Sequence, residues 1–170
     1  KGVTYVYEDR KQAGLFLEMS LEDNINAPFI SNMQRQFFLN EKNNTSVAQK
    51  SIKQFNIACH GTKQIVQTLS GGNQQKVMLA MWIATNPRIL IVDEPTRGID
   101  VGAKAEIHNL LRTRAAEGTS ILMISSEMPE IITLADRVVV MREGRVAGVL
   151  VGQEINENAV IELAAKKNAG

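Results

Sequence analysis

The spacing of hydrophobic and polar positions changes near the middle of this 170-residue chain. Residues 89–92 and 120–124 are largely apolar runs with the length and composition of buried parallel strands. Apolar residues also fill most of the helical stretch after Gly72, and a second helix is predicted over residues 103–117. This alternation of strand and helix predicts a wound α/β sheet.

Shorter patterns predict the elements at the two ends of the chain. Alternating β-favouring residues predict an opening strand over residues 3–7. Two closing strands are predicted over residues 137–141 and 145–150, joined by a turn at Glu143 and Gly144. A last helix is predicted over residues 157–165.

Residues 14–68 do not follow the strand–helix alternation. They are helical in tendency, and Pro28 interrupts them. The polar run 40–46 is either a solvated loop or a helix start, and an amphipathic helix is predicted from Val47. We therefore expect an inserted helical subdomain. The predicted segments are 1–13 (opening strand and its loop), 14–76 (helical subdomain), 77–150 (α/β core) and 151–170 (helical tail).

Composition narrows the possible functions. The chain is 44% hydrophobic and 22% charged, which is typical of a globular domain. Its formal net charge of +1 gives no electrostatic case for a nucleic-acid partner. The single cysteine, Cys59, excludes an internal disulfide. No apolar run approaches the roughly 20 residues that cross a bilayer.

The first candidate site is the string Leu-Ser-Gly-Gly-Asn-Gln-Gln-Lys at residues 69–76. Two glycines at the start of a helix let backbone N–H groups approach an anion, and the helix dipole favours negative charge there. Ser70 could cap the helix and also donate its hydroxyl to a phosphate. The simpler alternative is a serine-capped helix after a glycine turn.

The second candidate site is the string Ile-Leu-Ile-Val-Asp-Glu-Pro-Thr at residues 89–96. A buried parallel strand would deliver Asp93 and Glu94 at its carboxyl end, where α/β sheets bind ligands. Asp93 suits a hard cation, and Glu94 suits polarising a water that attacks a phosphoryl group. The simpler alternative is two charged residues leaving a strand.

The spacing of the two strings supports a shared site. Twenty residues, one helix and one turn, separate Gly72 from Asp93. Asp100 follows six residues after Glu94, and Ser126 follows the next predicted strand. Strand topology therefore predicts that Asp93, Glu94 and Ser126 emerge at the same sheet edge.

These strings resemble three segments of ABC-type ATPases. Residues 69–75 resemble the signature segment, 91–96 the Walker B segment and 98–100 the D-loop. Further strings resemble the second nucleotide-binding domain of ribose- and galactose-type importer ATPases, which carry two such domains in one polypeptide. Those strings are Glu-Asp-Arg-Lys at 8–11, Asn-Gln-Gln-Lys at 73–76, and residues 95–104 and 124–130. The resemblance implies a partial P-loop NTPase fold with an inserted helical subdomain.

The resemblance also implies cofactors and site residues. The signature segment would contact the γ-phosphate of an ATP molecule that the opposite domain holds. The residues assigned to ATP binding in that segment are Ser70, Gly71, Gly72, Asn73 and Gln74.

Five further positions receive roles by resemblance. Asp93 would associate with Mg²⁺ and ATP, and Glu94 would be the general base. Asp100 would be the D-loop residue that crosses the dimer interface beside the nucleotide. Glu8 stands in the place of the Q-loop glutamine, in a catalytic position beside the metal. Ser126 stands in the place of the catalytic switch histidine.

Two departures from the family pattern lead to a hypothesis of unequal sites. A serine cannot carry the positive charge of a histidine, and Glu8 replaces an amide with an anion. We therefore expect the site that pairs this domain's own phosphate loop with the other domain's signature to hydrolyse ATP weakly. The site that Ser70 to Asn73 complete would be the active one.

The chain begins at Lys1 and contains no G-x-x-x-x-G-K-[ST] string. It is therefore expected to be a fragment whose phosphate loop lies upstream. By itself it would neither bind ATP tightly nor hydrolyse it, and its sheet would have an exposed edge.

The resemblance implies a subunit that powers monosaccharide import at the cytoplasmic face of the bacterial inner membrane. The expected partners are the other ABC domain of the subunit or a second copy, a transmembrane permease and, indirectly, a periplasmic sugar-binding protein. The alternatives are a non-catalytic or regulatory ABC half-site and a non-transport ABC ATPase. A non-transport ATPase should carry long coiled coils or basic arms, which the sequence lacks.

Overall fold

The structure is a computed structural model that describes residues 2–10, 14–29 and 41–165. It forms two compact units, Lys1–Ile124 and Ser125–Gly170. Lys11 and Asn40, which belong to predicted polar segments, lie outside the described residues. The division into four segments remains a prediction.

A three-stranded parallel sheet forms the centre of the first unit. It consists of β1 (Val3–Val6), β2 (Ile89–Asp93) and β3 (Ser120–Ile124) in the order β1-β2-β3. Leu90 and Val92 of the central strand are completely buried. The apolar runs therefore form the predicted parallel sheet, and the helices between them confirm the α/β class.

Two long helices connect and cover these strands. Helix α3 (Gly71–Ile83) leads to β2, and α4 (Val101–Ala116) connects β2 to β3. Ten of the thirteen residues of α3 are buried, as its apolar composition predicts. Ile107 and Leu111 of α4 complete the core around it.

Within residues 14–29 and 41–68, the helical subdomain contains less helix than its sequence predicts. Helix α1 is short (Leu21–Asn26), and a 3₁₀ turn (Ala27–Phe29) follows it and contains Pro28. Helix α2 (Glu41–Gln54) includes the polar residues 41–46 as well as Val47, so this part of the polar run is helical and not a loop. The segments 14–20 and 55–65 are turns and loops.

A buried carboxylate connects α1 with α2. Glu22 of α1 accepts from Lys63 Nζ at 3.0 Å and from Thr45 Oγ1 at 3.1 Å. Burial by itself raises the pKa of Glu22, but the hydrogen bonds from Lys63, Thr62 and Thr45 outweigh it and lower that pKa. The carboxylate is therefore kept ionised where it holds α1, α2 and the following loop together.

The second unit packs two helices with an antiparallel hairpin. Its elements are α5 (Met128–Leu134), β4 (Arg137–Arg142), β5 (Arg145–Val151) and α6 (Glu157–Ala165). The predicted turn residues Glu143 and Gly144 both have positive φ, 52° and 74°, as a two-residue hairpin turn requires. Val138, Val140 and Val160 form the unit's small core.

Strand β3 is an edge strand within the part of the chain that the structure describes. Its residues Leu122 and Ile124 are 54% and 45% exposed, whereas Leu90 of β2 is completely buried. The described sheet therefore has the open apolar edge that the sequence predicts. No described helix is both long and apolar enough to cross a lipid bilayer.

Candidate functional site

Ser70 caps the N-terminus of α3, as predicted. Its extended backbone precedes the helix, and its Oγ accepts from the Asn73 N–H at 3.4 Å and from Asn73 Nδ2 at 2.9 Å. Both contacts use the serine oxygen as an acceptor, so its O–H remains a donor. The N–H groups of Gly71 and Gly72 belong to the first helical turn, which has no intrahelical acceptors. The exposed Ser70 therefore lies at a helix entrance that favours anions.

The structure gives the two glycines a packing role that the sequence did not reveal. A Cβ on Gly72 would lie 2.6 Å from the Cβ of Ala103 in α4. A Cβ on Gly71 would lie 2.9 Å from Arg10 Nη2. A side chain at Gly72 would therefore clash with α4, whereas one at Gly71 would meet only the end of a flexible arginine and displace it.

Asn73 and Gln74 support the entrance of α3. Asn73 Oδ1 accepts from the Ala58 N–H at 2.9 Å, which connects the helix to the loop after α2. Gln74 is buried, and its amide donates to the carbonyl oxygens of Val66 at 3.3 Å and Leu69 at 3.2 Å. The Gln74 side chain therefore holds the preceding turn, and its predicted part in ATP binding would be indirect.

Asp93 ends β2 and is hydrogen-bonded to the neighbouring strand. The hydroxyl of Tyr5 in β1 donates to Asp93 Oδ2 in a short contact. This hydrogen bond, followed by burial and by the negative charges of Asp93 and Tyr7, raises the pKa of Tyr5 above 10.0. Tyr5 thereby orients the carboxylate, and sequence reasoning gave it only a place in a strand.

Glu94 has a left-handed backbone with φ of 47°. Its N–H donates to the Ile124 carbonyl at 2.8 Å, and its carbonyl accepts from the Arg97 N–H at 3.2 Å. A non-glycine residue in this region is uncommon and often marks a functional turn. The chain therefore turns sharply between the two carboxylates, next to the end of β3.

Asp100 caps the N-terminus of α4. Its Oδ1 accepts from the Ala103 N–H at 2.9 Å, and a Cβ on Gly72 would lie 3.6 Å from its Oδ2. The bond from Ala103, opposed by burial and aided by the Gly102 N–H and the charge of Lys76, lowers the pKa of Asp100. Asp100 is therefore ionised beside the entrance of α3, and a contact across a dimer interface remains a prediction.

Glu8 forms an ion pair with Arg97, in the turn after β2. Arg10 donates from Nη1 to the Arg97 carbonyl at 3.3 Å. Sequence reasoning missed both contacts, because nearly ninety residues separate the partners. The roles of Glu8 in catalysis and metal binding remain predictions.

A second ion pair joins α3 to α4. Lys76 is buried and pairs with Glu106, and its Nζ also donates to the Asn56 carbonyl at 2.8 Å. The hydrogen bond from Lys76, against the effect of burial, lowers the pKa of Glu106. This contact fixes the direction of α3 relative to α4 and to the end of the helical subdomain.

Ser126 lies in the second unit, two residues beyond the end of β3. The neighbouring Ser125 Oγ donates to Glu130 Oε2 at 2.5 Å and accepts from the Glu127 N–H at 3.0 Å. These bonds order the start of α5 and leave Ser126 exposed. Its predicted place beside Asp93 and Glu94 remains a prediction.

The first unit thus brings most of the predicted residues to two neighbouring features. Asp93 and Glu94 lie at the end of β2, and Ser70, Gly72 and Asp100 lie where α3 and α4 begin. Among the described residues, three or more His, Cys, Asp or Glu side chains do not come together anywhere as a group that could hold a metal ion.

The hydrogen bond between Tyr5 and Asp93 predicts the titration of the tyrosine. The chain has two tyrosines, so Tyr7→Phe leaves Tyr5 as the sole phenol. Ultraviolet absorbance should then show ionisation of Tyr5 above pH 10, because the neutral phenol donates to a carboxylate. Adding Asp93→Asn should move this pKa down towards its ordinary value.

Circular dichroism at each pH would establish that the fold persists during this titration. An unchanged Tyr5 pKa in the Asp93→Asn chain would show that the two side chains are not hydrogen-bonded.

Named relatives match nearly the whole chain. Ribose import ATP-binding protein RbsA 2 of Rhizobium meliloti is 46% identical over 164 residues, 96% of this chain and 32% of the relative. Ribose import ATP-binding protein RbsA of Lactococcus lactis is 44% identical over 96% of this chain and 33% of the relative. The chain thus spans about a third of the length of the curated relatives it matches.

Solved structures share the fold. A dimeric ATP-binding cassette in a post-hydrolysis state, bound to ADP and Pi, superposes with a TM-score of 0.75 at 20% identity, covering 89% of this chain and 63% of that one. A nucleotide-free ATP-binding cassette from an ABC transporter superposes with a TM-score of 0.76 at 22% identity. This superposition covers 98% of this chain and 69% of that one. A family model described as ABC transporter matches residues 1–97, more than half of the sequence. The chain therefore belongs to the ABC transporter family.

Proposed function

We propose that this chain is the C-terminal part of an ATP-hydrolysing subunit that powers monosaccharide import across the bacterial inner membrane. The observation that carries the proposal is the 46% identity to a ribose import ATP-binding protein over 96% of the chain. That alignment spans the signature and Walker B segments, whose residues the fold presents at a helix entrance and a strand end.

The entrance of α3 fits part of a site for a triphosphate. Ser70 keeps a hydroxyl donor, and the first-turn N–H groups of Gly71 and Gly72 point in the direction of the helix dipole. We propose that these groups bind the γ-phosphate of ATP held by another domain. Lys76 fixes the helix that carries them through its ion pair with Glu106 of α4.

The end of β2 fits part of a magnesium site. Mg²⁺ takes one or two carboxylates and completes its shell with water and phosphate oxygens. Asp93 offers one oxygen beyond the one that Tyr5 occupies, and Glu94 follows in a fixed turn. When bound, the ion would neutralise phosphate charge. Asp93 would hold it, and Glu94 would accept a proton from the attacking water.

The entrance of α3 and the end of β2 each form only part of a nucleotide site, and both therefore imply that this chain acts with other proteins. The proposed partners are a second ABC domain, in the same subunit or in another copy, and a transmembrane permease to which the helical subdomain docks. A periplasmic sugar-binding protein would deliver the monosaccharide to the permease. The subunit would therefore work at the cytoplasmic face of the inner membrane.

Reconstitution of the intact subunit tests this function. The subunit should co-purify with a polytopic permease, and ATP turnover in vesicles should rise several-fold with a monosaccharide-loaded binding protein. An amino-acid-loaded binding protein should leave turnover at its basal level. ATP turnover without any associated permease would instead favour a non-transport ABC ATPase.

Ser126 favours a second candidate, a non-catalytic or regulatory half-site. A serine in the switch position cannot supply the positive charge of a histidine. Glu94 opposes this alternative, because a carboxylate that could act as a general base is retained directly after β2.

A further inference from the structure

Arg10 lies where three loops of the first unit meet. It follows β1, and its Nη1 donates to the Arg97 carbonyl at 3.3 Å. Its Nη2 occupies the space beside Gly71, 2.9 Å from where a Cβ would be. The guanidinium thus touches the loop after β2 and the entrance of α3 at once.

The inner atom of the Arg10 guanidinium is buried, and the loop that carries Arg10 also binds the Arg97 side chain. Arg10 Nε is buried and has no hydrogen-bond partner among the described residues. The Glu8 carboxylate, two residues earlier, binds the Arg97 side chain, so the same loop holds Arg97 at two points. The planar guanidinium fits against a glycine backbone that carries no side chain. Any displacement of residues 8–10 would therefore pull on Arg97 and expose Gly71.

We propose that Arg10 is a positioning residue that makes the entrance of α3 and the turn 94–98 move as one body with the loop after β1. The inference rests on the proposed function, because it assigns Arg10 an effect on the γ-phosphate contacts of Ser70. Arg10 acts through Gly71 and Arg97 and needs no contact with the nucleotide.

Kinetics of the intact subunit test this role. Arg10→Gln should lower kcat about tenfold, because a displacement of about 1 Å at a reacting centre has effects of this order or larger. The dissociation constant for ATP should change less than about twofold, since the phosphate loop that binds ATP first is elsewhere. Arg10→Lys should recover part of kcat, because an ammonium reaches the Arg97 carbonyl but cannot also cover Gly71.

Arg145→Gln is the matched control, because it removes an exposed arginine of β5 that lies outside the candidate sites. It should leave kcat unchanged. Unchanged kcat in folded Arg10→Gln, or an ATP affinity that falls in parallel with kcat, would overturn the proposal.

Amide hydrogen exchange without nucleotide separates this inference from the proposed function. Arg10→Gln should speed amide exchange at Arg97 and at Gln74. The Arg97 N–H donates to the Glu94 carbonyl, and the Gln74 N–H donates to the Ser70 carbonyl. Gly71→Ala should have the same effect by displacing the guanidinium, and should add little in the Arg10→Gln background. Additive effects, or unchanged exchange at Arg97, would refute the coupling even if the subunit hydrolyses ATP. Coupled exchange without any ATP turnover would support the coupling and refute the function.

Discussion

Replacing Ser70 by arginine in the intact subunit is expected to lower ATP turnover about 100-fold or more. The substitution removes a hydroxyl donor at an anion-favouring helix entrance and fills that entrance with a long side chain. Loss of one preorganised donor at a reacting oxyanion typically lowers kcat by about 10²–10³. Steady-state phosphate release at saturating Mg-ATP measures the effect.

Stability must be separated from chemistry in this experiment, because Ser70 is also an N-cap. Loss of a cap costs about 1 kcal/mol, which would leave the subunit folded. Asn156→Arg is the matched control, since Asn156 Oδ1 accepts from the Ala159 N–H at 3.0 Å at the start of α6. It should lower the unfolding midpoint in urea comparably and leave turnover unchanged. Ser70→Thr, which keeps the hydroxyl, should retain most of the turnover. Full activity of the Ser70→Arg variant would show that Ser70 does not act in ATP hydrolysis as the signature serine.

Local sequence patterns predicted the strands and the buried helix correctly. Residues 89–92 and 120–124 are largely apolar runs of strand length, and such runs predict parallel strands from sequence. The cap at Ser70 and the hairpin turn at Glu143 and Gly144 also follow from neighbouring residues.

The start of α2 depends on contacts that the local pattern does not contain. The polar residues before Val47 have modest helix propensity. In the structure, the carbonyl of Asn44 accepts from Asn26 Nδ2 at 3.2 Å, and Thr45 donates to the buried Glu22. These contacts attach the polar start of α2 to α1, and such tertiary hydrogen bonds can compensate weak helix propensity.

The supporting residues of the candidate site could not be predicted for a similar reason. Tyr5 meets Asp93 across 88 positions of sequence, because β1 and β2 are neighbours in the sheet. Arg10 meets Gly71 only after the loops have been placed by the fold. The left-handed Glu94 has no sequence signal at all, since glycine or asparagine would be expected there.

Glutamine in place of Glu94 is expected to lower turnover of the intact subunit by no more than about twofold. The same change at the matching glutamate of the other ABC domain should lower turnover about 100-fold or more, since a general base alone contributes about 10²–10⁴. The difference follows from the half-site to which Glu94 belongs. In the proposed half-site Ser126 would take the place of a histidine, and the Glu8 carboxylate is engaged by Arg97.

Each substitution exchanges one carboxylate for an amide of the same shape, so each variant is the other's control for folding and for ATP binding. Turnover should be measured at saturating Mg-ATP, after the dissociation constant of each variant has been determined separately. If Glu94→Gln alone abolished hydrolysis, the two sites would both be needed and the asymmetry would be wrong. Equal partial losses of turnover in the two variants would also exclude the asymmetry. They would mean that the site with Ser126 supports catalysis as well as the site with a histidine does.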